Sequence, residues 1–140
     1  MAKGPRVYAV RTKVPVLQTR SDIEKTLTAY GATGFAFAQD VGRAMIAFRM
    51  NKRHVRFTLQ MPAKVDPQTE RQRWRALLLV IKAKMEAVRA NITVFDEEFL
   101  AHIVMPNGQT VADILHDQIA AAYDSGQMPP LLIFRPGDGN

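Results

Sequence analysis

Three histidines, thirteen carboxylates and nineteen lysines and arginines are the side chains of this chain able to do chemistry, with no cysteine to add a thiolate. Glu98 and His102 stand four apart, and Asp113, His116 and Asp117 stand three or four apart, so each set could hold a metal on one helix face. Neither completes a zinc or two-metal pattern, which leaves a small metal-dependent nuclease as the third-ranked reading and no metal ligand assigned. Asp96, Glu97 and Glu98 are consecutive; on a helix they splay by about 100° each and share no site. The two serines, Ser21 and Ser125, fall at expected helix ends, so a serine triad has no place to form. Gly31-Ala32-Thr33-Gly34 and Pro106-Asn107-Gly108 lack the spacing of a phosphate-binding or dinucleotide loop, and no cofactor is expected.

Charge is what remains. The formal net charge is +6, yet residues 1–92 hold 18 basic and 6 acidic residues, a net +12, while residues 93–140 set Arg135 against seven acids, a net −6. A basic end of this size suits a polyanion. Candidate phosphate contacts are Arg11, Lys13, Arg43, Arg49, Lys52, Arg53 and Arg56, with Arg71, Arg75 and Lys82 as a stripe on a helix. Outward aromatics for base stacking are limited to Phe35, Phe37 and Tyr8, so the binding read here is electrostatic. Trp74 falls among apolar residues at helical spacing and is assigned to the core.

The elements that must position these cations follow from periodicity. Residues 1–6 read as a mobile basic arm, and Val7 to Val16 as an extended segment ended by Pro15, in which Arg11 and Lys13 alternate with apolar neighbours. A helix capped by Ser21 or Thr19 carries Ile23, Leu27 and Tyr30 on one face and stops at Gly31. Three runs of period two follow: Phe35 and Phe37; Ala44, Ile46, Phe48 and Met50; Val55, Phe57, Leu59 and Met61. Turns at 40–42 and 51–53 make them antiparallel hairpins, whose other face receives Arg43, Arg49, His54, Arg56, Thr58 and Gln60.

Asp66-Pro67 opens the longest helix, reaching about Asn91, with Trp74, Leu77, Leu78, Ile81, Met85, Val88 and Ile92 toward the core. Leu79, Val80 and several alanines on its far side predict a cover, either the C-terminal part or a second subunit. Thr93 with Asp96 predicts a capped helix burying Phe95, Phe99 and Ile103, and Thr110 with Asp113 predicts a last helix ended by Gly126. Residues 127–140 read as an apolar, then flexible, tail that packs back or docks on a neighbour. The sum is a single α+β domain: extended segment, helix, three-stranded antiparallel sheet, long helix and two shorter C-terminal helices.

The block Glu70-Arg71-Gln72-Arg73-Trp74-Arg75-Ala76-Leu77-Leu78-Leu79, with Asp96 to Leu100 and Met105 to Val111, resembles small uncharacterised proteins carried by bacteriophages and prophages. The resemblance covers about Thr19 to Leu132 and implies a genomic context without agreed site residues. The order α, β, β, β, α is also similar in topology to double-stranded-RNA-binding domains and to the core of phage single-strand annealing proteins. Gln68-Thr69-Glu70 stand where the former carry a lysine-rich helix start. These observations predict a non-enzymatic protein for single-stranded nucleic acid, DNA before RNA, working as a homo-oligomer in the host cytoplasm during replication or recombination. The alternative is a protein-interaction module such as a phage inhibitor of a host factor. The longest apolar run, Ala76 to Ile81, falls far short of the ~20 residues of a membrane span, so no membrane partner is expected.

Overall fold

Alternation of apolar and polar residues from Thr33 to Gln60 produces the centre of the molecule, three antiparallel strands in the order β1 (Thr33–Asp40), β2 (Arg43–Met50) and β3 (Arg53–Gln60). The structure, a computed structural model, describes residues 3–130, with side chains from residue 15. Both hairpins have two-residue turns. Val41-Gly42 makes the first; Asn51-Lys52 makes the second, with both residues in the left-handed region at φ 52° and 62°. Such a turn matches the twist of the strands that it joins.

Ala44, Ile46, Phe48, Val55 and Phe57 point to one face of the sheet and are buried there. That face is covered by α1 (Lys3–Ala29), through Ile23 and Leu27, and by α2 (Pro67–Arg89), through Trp74, Leu77, Leu78, Ile81 and Met85. Asp66 caps α2 by accepting from the Thr69 amide at 2.9 Å, and Pro67 takes the first turn, where its missing N–H costs nothing. The expected core stripe holds as far as the helix does. Ile92 is 80% exposed because the chain turns at Asn91, φ 60°, and the helical azimuth no longer applies to it.

The segment read as extended belongs to α1, which runs through Pro15 instead of starting after it. Val10 and Val14 stand four apart as well as in alternation, a spacing that a helix also satisfies. Thr19 is correspondingly no cap: it is buried inside the helix, and its hydroxyl donates to the Pro15 carbonyl at 3.0 Å. Of the arm at 1–6, Met1 and Ala2 lie outside the described residues, and α1 takes in the rest; the tail lies outside them from residue 131.

The helix predicted after Thr93 is a single turn, α3 (Phe95–Glu98), followed by a 3-10 turn at Leu100–His102. Phe95, Phe99 and Ile103 are buried as expected, but Val94 is the cap residue and no side chain caps the turn. The helix stops early because the chain leaves it to pair with β3: Ile103 bridges Val55, and the Val104 amide donates to the His54 carbonyl at 2.8 Å. α4 (Val111–Ser125) has the predicted capping box of Thr110 and Asp113 and ends at Gly126 in the left-handed region. It does not cover α2, where Leu79 is 62% and Val80 43% exposed.

Candidate nucleic-acid interface

The face of the sheet turned away from α1 and α2 is built in four cross-strand rows. Thr33, Arg49 and His54 form the first; Ala36, Ala47 and Arg56 the second; Ala38, Met45 and Thr58 the third; Asp40, Arg43 and Gln60 the fourth. Alanines in the second and third rows leave the face low, and the arginines stand around them. Two open depressions result, one of about 670 Å3 bordered by Asp40, Arg43, Met45, Arg56 and Asp113, the other of about 290 Å3 between Ala36, Ala47, Arg49 and His54.

Two backbone features place cations here. Gly34, at φ 66°, forms a bulge opposite Arg49, and a Cβ on it would stand 2.6 Å from Arg49 Nε. The absence of that carbon lets the guanidinium lie across β1. Lys52 takes the turn position where glycine is favoured, at a cost on the order of 1 kcal/mol, and so puts an exposed ammonium at the hairpin tip.

The predicted cations do not act together. Arg53 donates to both oxygens of Asp96, at 3.1 and 3.0 Å, and the hydrogen bond to Asp96 raises its pKa above the ordinary value. Arg56 reaches Asp113 at 3.5 Å. Asp113 is held below the usual carboxylate range chiefly by its capping bonds with Thr110 and only secondarily by Arg56, so this partly exposed pair is weak and exchangeable. Arg43 and Arg49 have no ion-pair partner among the described residues, and both are exposed.

Arg71, Arg75 and Lys82 belong to α2, on the opposite side of the sheet from Arg43 and Arg49, so the helix stripe and the sheet face are separate surfaces. Helical spacing predicts an azimuth; it carries no information on which layer the helix occupies. Arg11 and Lys13 lie in α1 and add no fourth strand; their side chains fall outside the described residues. Phe35 and Phe37 point inward, Phe37 lying 6.3 Å from Trp74 with the Arg20 guanidinium 4.4 Å above its ring, so neither offers a stacking platform on the basic face; the Tyr8 side chain is also outside the described residues. Trp74 is buried as expected.

Among the described residues no three His, Asp or Glu side chains converge as a metal site. Glu98 pairs with Lys84 at 3.7 Å, while His102 stacks on Phe57 with ring centroids 4.1 Å apart. Burial, followed by the charge of Lys84, pushes the His102 pKa down against an opposing hydrogen bond with the Arg56 backbone. What sequence reasoning missed are the carboxylate partners of Arg53 and Arg56, 43 and 57 positions away, for which no local signal exists. No described helix is long and apolar enough to cross a membrane. No family model, curated protein or solved structure matches the chain.

Proposed function

We propose that this chain is a phage-type, non-enzymatic protein that binds single-stranded nucleic acid, DNA before RNA, along the outer face of its sheet. The observation that carries the reading is the floor of Ala36, Ala38 and Ala47 bordered by Arg43 and Arg49, which have no ion-pair partner among the described residues, with Lys52 held at the tip in a strained turn. Arg43 and Arg49, six residues apart on one extended strand, span about 20 Å, a length over which a flexible strand presents several phosphates. Arg56 joins them when its weak contact with Asp113 exchanges. The cytoplasm of a bacterial host, and a step in replication or recombination, suit such a protein. Self-association would add avidity by repeating one weak site.

Fluorescence anisotropy of a labelled single-stranded oligonucleotide tests this. Three to four phosphate contacts give a log–log salt slope of about −2 to −3 at ~0.7 per contact, and Arg43→Ala with Arg56→Ala lowers its magnitude by about 1.4 with the fold intact by circular dichroism. Absence of binding at low salt, or binding indifferent to salt, refutes the reading.

A further inference from the structure

The two edges of the sheet are finished differently. In β1 the two-residue turn to β2 directs the backbone groups of Asp40, Ala38 and Ala36 toward β2, which leaves those of Phe35, Phe37 and Gln39 pointing off the free edge. No hydrogen bond from any described residue reaches them. From Thr33 to Gln39 the strand carries no charge and no proline, the usual means of blunting an exposed edge, and Phe35 and Phe37 are only half-buried.

We infer that β1 pairs antiparallel with β1 of a second copy of this chain about a two-fold axis at Phe37, making one six-stranded sheet. This register pairs all three outward residues of each strand: Phe37 faces its own copy, and Phe35 faces Gln39. Registers centred one residue to either side pair only two of the three. On the outer face Ala36 then lies opposite Ala38, where small side chains permit close approach. At each end Asp40 falls opposite Gly34 of the other copy, where the Arg49 guanidinium lies, so the one acid of β1 meets a cation held in place for it. The same contact occurs twice by symmetry. Assembly stops at two chains because the β3 edge is covered at both ends, the His54 carbonyl by the Val104 amide and the Gln60 carbonyl by Arg73. Pairing also sets two outer faces side by side; within the dimer Arg49 is engaged by Asp40, which leaves Arg43, Lys52 and Arg56 for phosphate, and the inference stands without the nucleic-acid reading.

Sedimentation velocity on the full chain over a concentration series is the test. The expected species has twice the 15.7 kDa of one chain. Gln39→Pro removes one ladder donor per copy and weakens the dimer by about tenfold or more. Ala38→Lys, at an exposed outer position, provides a second disruption should the proline variant fail to fold. Asp40→Arg and Arg49→Asp each dissociate the dimer, and the two combined restore it. A single-chain mass at every concentration, a mass above two chains, or a dimer indifferent to all four variants overturns the inference. Mass and oligonucleotide binding are read separately: a monomer that still binds DNA refutes the edge pairing alone, and a dimer that does not bind refutes only the nucleic-acid reading.

Discussion

β1 and β3 flank the same central strand and have the same length, yet among the described residues one edge is closed at both ends and the other is open. Along β3 the His54 carbonyl accepts from the Val104 amide at 2.8 Å, the His102 ring stacks on Phe57, and the Gln60 carbonyl accepts from Arg73 at 2.9 Å. Behind these contacts sits Phe99, fully buried among Phe48, Phe57 and Phe95, which anchors the segment that returns to the sheet. Among the described residues no such segment returns to β1. A sheet edge left without cover is a surface for another strand, and the closed edge shows how this chain finishes one when pairing is not wanted.

Matched proline substitutions give the largest contrast. Val104→Pro removes the amide that closes β3, at a position preceded by the extended Ile103, φ −71° and ψ 129°, which tolerates a following proline. It should cost about 1–3 kcal/mol by leaving the His54 carbonyl without its donor, and lower the melting temperature accordingly. Gln39→Pro, whose outward amide has no partner among the described residues, should leave single-chain stability within about 0.5 kcal/mol by chemical denaturation. Equal costs at the two positions would erase the distinction between the edges.

A smaller effect comes from pH. His102 has its folded pKa depressed below the ordinary 6.5, chiefly by burial, so the unfolded chain takes up the proton first. The stability that neutral His102 contributes is present above that ordinary value and is lost as pH falls through the depressed one. Melting temperature should decline over this window, and His102→Phe, which keeps the stack on Phe57, should flatten the decline. An unchanged pH profile in that variant would remove His102 from the closure of β3.

How legible this was from the sequence varied with the range of the interactions. Alternation in Ala44, Ile46, Phe48, Val55 and Phe57 predicted strands and faces correctly because burial on one side imposes a period of two. The Asp66-Pro67 start of α2 and the Thr110–Asp113 box of α4 were legible because caps are local. The fate of the residues after Phe99 was not. A helical spacing of Phe95, Phe99 and Ile103 is also met by one turn followed by a bridge, and the choice is made by the distant His54 carbonyl. The candidate site was half legible: alternation placed Arg43, Arg49 and Arg56 on one face, but the acids opposite Arg53 and Arg56, and the separation of the Arg71, Arg75 and Lys82 stripe, depend on tertiary packing.

Hydrogen exchange at two protein concentrations reads both edges at once. The open-edge account predicts that the amides of Phe35, Phe37 and Gln39 become protected as concentration rises, while the Val104 amide is protected to the same degree throughout. Amides of β1 that exchange at one rate regardless of concentration, or are already protected in the dilute single chain, would contradict it.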